Sequence, residues 1–162
     1  MTRAYIGLGS NLDDPELHIT QAFADIEAIP NTQQQARSSL YVTEPVGPRD
    51  QPDFINAVSC VQTLLEAPEL LCHLQAIEKA HGRVRTGKHW GPRTLDLDLL
   101  LYADAEIDLP ELKVPHPELH RRCFVLRPLV EIAPEIIVPS LGAAKTLLES
   151  IDCRGVRKFV HA

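Results

Sequence analysis

Hydrophobic and polar positions alternate with two different periods along the chain, and each period predicts a different kind of element. Residues 4–8 ("AYIGL") predict a short strand, and residues 11–29 predict a helix with Asp13 or Asp14 as its N-cap before Pro15. One stripe of this helix is apolar at spacings of three and four residues: Ile19, Ala22, Phe23 and Ile26. Because a stripe of this kind packs on a core, we expect the helix to cover a sheet.

Further strands and a second helix follow in alternating order. Strand-forming side chains predominate at residues 36–43, 54–65 and 94–102, and helical periodicity occupies residues 67–82. The second helix is expected to turn four side chains inward and to end at a glycine: Leu70, Leu71, Leu74 and Ile77, then Gly82. The order β-α-β-β-α-β predicts an α+β, ferredoxin-like sandwich, in which an antiparallel sheet carries two helices on one face.

The last part of the chain is less regular. It has a Pro-rich turn, a short apolar segment at residues 123–133 and a helix predicted at residues 143–151. No motif follows Pro139, so this part is assigned only to packing. The chain has 162 residues without an internal repeat or a low-complexity linker, which predicts a single domain over residues 1–162.

Composition and charge narrow the function classes. Apolar residues make up 44% and charged residues 23%, as in soluble globular proteins, and a net charge of −6 argues against binding to nucleic acid or anionic membranes. The sequence has no run of 18 apolar residues, and its first residues do not predict a signal peptide. Four isolated cysteines are predicted to be reduced thiols of a cytoplasmic protein, without a metal or disulfide: Cys60, Cys72, Cys123 and Cys153.

Two aspartates interrupt the apolar strand at residues 94–102. In a strand Asp96 and Asp98 share one face with Leu100, and the other face, toward the helices, is Leu95, Leu97, Leu99 and Leu101. The two carboxylates would lie about 6.5 to 7 Å apart and repel each other unless a cation lies between them. This spacing suits one or two Mg²⁺ ions that also bind substrate phosphates. A solvated sheet face without a function is the alternative interpretation.

Cations cluster directly before these aspartates. Five basic residues and no acidic residue occupy positions 79–93: Lys79, Arg83, Arg85, Lys88 and Arg93. A smaller group follows at Arg121, Arg122 and Arg127. Since arginine binds phosphate in a bidentate manner, carboxylates and arginines together indicate a nucleoside triphosphate site, although a solvated basic loop remains the alternative. The segment "GLGSN" at residues 7–11 does not match a P-loop, and its glycines are expected to permit close approach of a neighbour.

Aromatic and amide side chains indicate a flat ligand. Phe54 and Asn56 point to the same face of their strand, where a ring can stack on a heterocycle and an amide can pair with its edge. Trp90 lies in the basic loop and Phe124 follows the second basic group, so both are further candidates. Core positions for Phe54 and Phe124 are the alternative.

Four segments together resemble the 6-hydroxymethyl-7,8-dihydropterin pyrophosphokinase family of folate synthesis. They are "GLGSN", "VGPRDQPDFINAV", "GPRTLDLDLLLY" and "VPHPELHRRCFVLRPL", in register over about residues 4–140. The resemblance implies transfer of the pyrophosphoryl group of ATP to the hydroxymethyl oxygen of the pterin, with release of AMP. It also implies the ferredoxin-like fold, and a mobile lid at residues 84–91.

The resemblance also implies roles for individual residues. Two Mg²⁺ ions would be held by Asp96 and Asp98, and the transferred phosphates by Arg83 and Arg93. The implied ATP-binding residues are Gln75, Glu78, Arg85, Trp90, Leu99, His116 and Arg122. The implied pterin-binding residues are Thr43, Pro45, Val46, Phe54, Asn56, Trp90 and Phe124. His89 stands where the family is expected to have arginine, and Glu111, Lys113 and Pro117 also depart from its pattern.

Two other functions remain open at this point. One is an Mg-dependent nucleotidyltransferase with its DxD metal site on a ferredoxin-like palm, which would release pyrophosphate instead of AMP. The other is a ligand- or RNA-binding module without catalysis, although no aromatic-basic RNA-binding run is present. The expected partners are ATP and the pterin alone, without nucleic acid or membrane, and the expected state is a cytoplasmic monomer.

Overall fold

A computed structural model of the chain describes residues 1–12, 14–44, 53–82 and 94–159. Its helices are α1 (Pro15–Glu27), α2 (Ala67–Ala80), α3 (Cys123–Ile132) and α4 (Ala144–Glu149). Its longer strands are β1 (Thr2–Ser10), β2 (Thr32–Arg37), β3 (Tyr41–Thr43), β4 (Phe54–Thr63), β5 (Asp96–Tyr102) and β10 (Val156–Lys158). Two short hairpins consist of β6 (Ile107–Asp108) with β7 (Lys113–Val114), and β8 (Ile137–Val138) with β9 (Gly142–Ala143).

One antiparallel sheet organises the described residues. Its strands follow the order β10-β3-β4-β1-β5, and β2 pairs with the C-terminal half of β4. The predicted combination of an antiparallel sheet with packed helices is therefore confirmed. Along the described part of the chain, no helix combines the length and the apolar character that crossing a membrane requires.

Helix α1 begins and packs as its sequence predicts. The Asp14 side chain caps it by accepting a hydrogen bond from the Leu17 amide at 3.4 Å, and Pro15 occupies the first turn. The predicted apolar stripe is buried: Ile19, Ala22, Phe23 and Ile26. The end of α2 is joined to α1 by a chain of side chains, in which His81 contacts His18 at 2.7 Å and Asp25 at 2.8 Å.

Helices cover both faces of the sheet, which corrects the expectation of one covered face. Helices α1 and α2 share a hydrophobic cluster with Ile6 and Leu8 of β1. Helix α3 lies on the opposite face, where Leu126 and Leu129 join a second cluster with Val58 of β4. The segment predicted only as a short apolar stretch is thus a helix that forms a second core layer.

A β-bulge in β5 corrects the predicted orientation of Leu101. Leu99 pairs with Ile6, whereas Leu101 pairs with Tyr5, so Leu100 is an extra residue in the strand. Both Leu100 and Leu101 are therefore in the cluster beneath α3, and strict alternation placed Leu101 on the wrong face.

The single strand predicted at residues 36–43 is two strands. Ser38 exchanges hydrogen bonds with Val58, its amide donating to the Val58 carbonyl and its hydroxyl accepting from the Val58 amide, both at 2.9 Å. The next amide, of Ser39, donates instead to the Glu131 carboxylate of α3 at 3.0 Å. Because that donor turns toward a helix, the ladder is interrupted between β2 and β3.

A disulfide joins Cys123 and Cys153, which corrects the prediction of four reduced cysteines. The two Cα atoms lie 5.4 Å apart although 30 residues separate them in sequence. The chain returns to the start of α3 after α4, and sequence spacing carries no signal for such a return. Cys60 is a buried free thiol and Cys72 an exposed one.

Candidate active site

A cavity of about 830 Å³ extends over the sheet face opposite α1 and α2 and around the edge strand β5. Its walls also include part of α2, the tip of the β6–β7 hairpin and the segment that leads into α3. We name two parts of it by their side chains. The carboxylate end is Asp96, Asp98 and His116, and the amide end is Thr43, Phe54, Asn56 and Phe124.

Strand register connects the two ends. Asn56 of β4 pairs with Gly9 of β1, and Gly9 pairs on its other side with Asp96 of β5. The amide and the carboxylate therefore stand two strand spacings apart, about 10 Å, with a glycine between them. A Cβ atom at Gly9 would lie only 2.9 Å from Nδ2 of Asn56, so the glycine makes room for the amide. The prediction that the glycines of "GLGSN" permit close approach is confirmed.

The carboxylate end is partly exposed. The side chain of Asp98 is 47% exposed, and Asp96 is half-buried on the same face. Between them, the amide of Leu97 donates to Oε2 of the buried Glu78 on α2 at 2.8 Å. Glu78 thus holds the backbone of the strand that presents both aspartates.

The residues at this end fit Mg²⁺. Magnesium is commonly bound through one or two carboxylates while phosphate oxygens and water complete its octahedron. Asp96 and Asp98 provide the two carboxylates on a solvent-accessible strand edge. Among the residues that the structure describes, no group of three or more His, Cys, Asp or Glu side chains is placed to hold a metal.

His116 lies beside the Asp98 carboxylate, in surroundings that favour the neutral imidazole. Its Nδ1 accepts a hydrogen bond from the Glu118 amide at 3.1 Å, which leaves the proton on Nε2, 3.9 Å from Oδ1 of Asp98. Burial lowers the pKa of His116, and Arg122 lowers it further against the opposing effects of Asp98 and Glu118. The amide of His116 donates to the Leu100 carbonyl at 3.0 Å, so the residue is fixed to β5 through its backbone.

The polar side chains of the amide end are buried and include unused acceptors. Thr43 is 8% exposed and Asn56 is 7% exposed. Among the described residues, Oγ1 of Thr43 and Oδ1 of Asn56 have no hydrogen-bond partner. Buried polar atoms in proteins are nearly always paired, so these two atoms are available to accept hydrogen bonds from a molecule that occupies the cavity. Phe54 and Phe124 line the same cavity, and the Arg122 guanidinium lies 5.5 Å from the centre of the Phe124 ring.

The structure brings every described candidate residue to this one cavity. These are Thr43, Phe54, Asn56, Gln75, Glu78, Asp96, Asp98, Leu99, His116, Arg122 and Phe124. The predictions for Pro45, Val46, Arg83, Arg85, Trp90 and Arg93, and for the lid at residues 84–91, lie outside the described residues.

Two groups of residues differ from the sequence interpretation. Leu71, Pro110, Leu112 and Val125 also line the cavity, and sequence reasoning missed them because apolar side chains in a helix or hairpin carry no distinctive signal. Arg127 was grouped with possible phosphate-binding cations, but its guanidinium lies 5.4 Å from the centre of the Tyr41 ring and donates to the Val156 carbonyl at 3.0 Å. Arg127 is therefore engaged in packing α3 against β3 and β10.

Comparison with known families and sequences gives a consistent result. Residues 5–134 match the model of the family described as 7,8-dihydro-6-hydroxymethylpterin-pyrophosphokinase. A 2-amino-4-hydroxy-6-hydroxymethyldihydropteridine pyrophosphokinase of Pseudomonas aeruginosa is 45% identical over 160 residues, covering 99% of this chain and 98% of that protein. Proteins with the same name are 46% identical in Haemophilus influenzae, over 86% of this chain and 87% of theirs, and 40% identical in Bacillus subtilis, over 98% and 96%.

Solved structures share the fold at low sequence identity. A crystal structure of HPPK-DHPS in complex with substrates superposes with a TM-score of 0.74 at 13% identity, covering 97% of this chain. Wild-type Plasmodium falciparum HPPK-DHPS with pteroate gives 0.72 at 14% identity, covering 91% of this chain. This chain spans 46% and 42% of the length of those two proteins.

Proposed function

Because this chain belongs to the 7,8-dihydro-6-hydroxymethylpterin-pyrophosphokinase family, we infer that it transfers the pyrophosphoryl group of ATP to 6-hydroxymethyl-7,8-dihydropterin in folate synthesis. The pterin hydroxymethyl oxygen bonds to the β-phosphorus, the bond from that phosphorus to the α-phosphate oxygen breaks, and AMP leaves. The observation that carries this inference is the single cavity with a carboxylate end and an amide end.

The carboxylate end is proposed to receive the triphosphate. Asp96 and Asp98 would hold two Mg²⁺ ions, whose charge offsets that of the phosphate oxygens. Nε2–H of His116 and the Arg122 guanidinium face the same part of the cavity and can donate to phosphate oxygens. Gln75, Glu78 and Leu99 would line the nucleotide side. The sequence resemblance adds Arg85 and Trp90 to that side, and Arg83 and Arg93 as ligands of the transferred phosphates.

The amide end is proposed to receive the pterin ring. A pterin carries amino and ring N–H donors along one edge, which suit the unused acceptors of Asn56 and Thr43. Phe54 and Phe124 would lie against the ring faces, with Pro45, Val46 and Trp90 added from the resemblance. With the ring held there, the hydroxymethyl group would point across Gly9 toward the carboxylate end.

No residue needs to act as a strong base in this arrangement. Phosphoryl transfer depends mainly on in-line positioning and on stabilisation of charge, and the two ends of the cavity supply these separately. For the proton of the hydroxyl group, the Asp98 carboxylate and a water molecule at the carboxylate end are the two candidate acceptors.

Several wider features are proposed with this function. The strand order supports a ferredoxin-like βαββαβ arrangement to which α3, α4 and β10 are added. The chain is proposed to act as one catalytic domain over residues 1–162, as a cytoplasmic monomer that binds neither nucleic acid nor membrane. Family membership does not favour the alternative nucleotidyltransferase.

Product analysis tests the reaction. The protein is mixed with ATP, Mg²⁺ and 6-hydroxymethyl-7,8-dihydropterin, and the nucleotide product is separated and identified; the control omits the pterin. We expect AMP that depends on both pterin and Mg²⁺. Release of pyrophosphate would establish the nucleotidyltransferase, whereas ADP, or AMP formed equally without pterin, would refute pyrophosphoryl transfer.

A further inference from the structure

The C-terminal segment Cys153–Lys158 borders the amide end of the cavity. We call it the C-terminal clasp. Its strand β10 pairs with β3, so that Val156 lies opposite Thr43, the residue with an unused buried hydroxyl. The amide of Glu44 donates to the Gly155 carbonyl at 3.0 Å. The clasp therefore continues the backbone pairing of β3 one residue beyond Thr43.

The clasp also reaches the start of β4. Arg157 lies 3.8 Å from the carboxylate of Asp53, which directly precedes Phe54. Glu44 and Asp53 flank residues 45–52, so the clasp contacts the chain on both sides of that interval. The exposed Arg157–Asp53 pair contributes little energy by itself, and the backbone pairing with β3 is the stronger of the two contacts.

Three links tie the clasp to α3, one of them an ion pair between Lys158 and Glu131 at 3.8 Å. The disulfide joins Cys153 to Cys123, the residue before Phe124. The Arg127 guanidinium donates to the Val156 carbonyl at 3.0 Å and lies 5.4 Å from the centre of the Tyr41 ring. The two walls of the amide end, Thr43 on β3 and Phe124 on α3, are thus connected through residues that do not themselves line the cavity.

Core packing does not account for this segment. None of residues 153–158 is buried, and Arg154, Arg157 and Lys158 are exposed. Its contacts are a strand pairing, a disulfide, a guanidinium contact and two ion pairs, Arg157–Asp53 and Lys158–Glu131, which set position and contribute little to burial of apolar surface.

We propose that the C-terminal clasp is a positioning element, which holds β3 against α3 and so sets the separation of Thr43 and Phe124 around the pterin. The proposal rests on the assignment of the amide end to the pterin. It differs from the expectation that residues after Pro139 contribute only packing.

Two glycine variants separate positioning from stability. Gly155 has φ +82°, and a Cβ atom there would lie 3.3 Å from Oε2 of Glu44, whereas Gly142 has φ +102° with no atom within 4 Å of its Cβ position. Gly155→Ala and Gly142→Ala therefore introduce similar backbone strain, but only the first places a Cβ atom against the side chain of Glu44, whose backbone amide makes the clasp hydrogen bond. We expect Gly155→Ala to raise the KM for pterin about 5-fold and to change kcat and the KM for ATP by no more than about 2-fold. Gly142→Ala, the control, should change none of these three constants by more than about 2-fold.

Cysteine variants test the covalent link. Cys153→Ser is expected to raise the KM for pterin to a similar extent, and Cys72→Ser, which removes an exposed free thiol, is the control. Dithiothreitol transfers two electrons to the Sγ–Sγ bond, giving two thiols and a cyclic oxidised reductant. It should therefore reproduce the Cys153→Ser effect in the unmodified protein and have no further effect on that variant.

The outcomes distinguish this proposal from the site assignment. Equal changes in the KM for pterin and for ATP, or no difference between each variant and its control, would overturn the clasp. An Asn56→Ala variant is measured in parallel: if it raises the KM for pterin while the clasp variants do not, the clasp alone is wrong. If Asn56→Ala leaves that KM unchanged, the assignment of the amide end is wrong. Thermal unfolding of each variant verifies that the protein is folded at the assay temperature.

Discussion

The two ends of the cavity are built from the same sheet and differ in almost every physical property. The carboxylate end stands on β5, an edge strand of the sheet, and its Asp98 side chain is 47% exposed. The amide end stands on β3 and β4, which are paired on both sides, and Thr43 and Asn56 are each less than 9% exposed. One end carries partly exposed charge, and the polar side chains of the other end are neutral and buried.

This difference agrees with what each end is proposed to bind. Ionised carboxylates remain in contact with water because burial without compensation costs several kcal/mol, and a hydrated cation can still approach them. A flat heterocycle instead binds best in a neutral site from which water is excluded. Its N–H donors can then supply the hydrogen bonds that the buried acceptors lack. The sheet serves both needs because its edge is accessible and its interior strands are covered by α3.

Removal of one carboxylate is the strongest test of the charged end. Asp96→Ala should reduce Mg²⁺-dependent turnover by about 10³-fold or more, because the lost ligand removes metal stabilisation of the transferred group. Thermal unfolding should change little, since the side chain is half-exposed. Asp104→Ala removes an exposed carboxylate just beyond the same strand and should keep full activity. Equal loss in both variants would indicate a general charge effect in place of a metal site.

A pair of matched threonine variants tests the neutral end. Thr43→Val removes a buried hydroxyl without a partner among the described residues, so we expect about 1 kcal/mol of added stability together with about a 10-fold higher KM for pterin. Thr63→Val removes a buried hydroxyl that contacts Thr32 at 2.8 Å and accepts from the Leu65 amide at 3.0 Å, and should destabilise the protein by about 1 to 2 kcal/mol.

Thermal or urea unfolding and steady-state kinetics measure these opposite effects. If Thr43→Val destabilised the protein as Thr63→Val does, the Thr43 hydroxyl would have a partner in the free protein, and the amide end would not be poised for a ligand.

Alkaline pH gives the smallest predicted effect, at the base of the amide end. Tyr41 pairs with Asn56 across the strands, and burial, with the Glu131 carboxylate that its hydroxyl contacts, raises the pKa of Tyr41 from 10.0 to about 12. Folding thus favours the neutral phenol. Its contribution to the free energy of unfolding is complete below pH 10 and is lost as the pH rises to about 12.

Comparison with Tyr41→Phe isolates this contribution. After allowance for solvent screening, we expect the unmodified protein to lose about 1 kcal/mol more of its free energy of unfolding than Tyr41→Phe between pH 10 and 12. Urea unfolding across that range measures the difference. Parallel curves for the two proteins would mean that Tyr41 is not held in a dry environment.

Local pattern predicted much of the fold and the candidate site. The apolar stripe of α1, the cap at Asp14 and the alternation of β5 up to Leu99 all depend on neighbours within a few residues, and each is found where the pattern places it. Strand alternation places six of the eleven described candidate residues on one sheet face or around its edge: Thr43, Phe54, Asn56, Asp96, Asp98 and Leu99. The other five reach the same cavity from α2, from the segment before α3 and from α3 itself, and only tertiary packing brings them there. Their chemical roles stay predictions until the variants above are measured.

Other features were missed for a common reason. The interruption between β2 and β3 depends on Glu131, 92 residues from Ser39 in sequence, and the bulge at Leu100 depends on its register with β1. The disulfide and the C-terminal clasp depend on the return of the chain to α3 and β3. A pattern that repeats every few residues carries no information about contacts between residues so far apart in sequence.

The sequence by itself determined the candidate side chains and, apart from the bulge in β5, the face of the strand or helix on which they lie, since a strand or helix repeats its side-chain directions every few residues. Only the tertiary structure decided how the elements combine: helices on both sheet faces, a charged end at an edge and a neutral end beneath α3. The physical reason is that exposure depends on which surfaces distant segments cover. Asp98 and Asn56 both lie on strands, and the distant segments that pack over each strand set how much of each side chain is exposed.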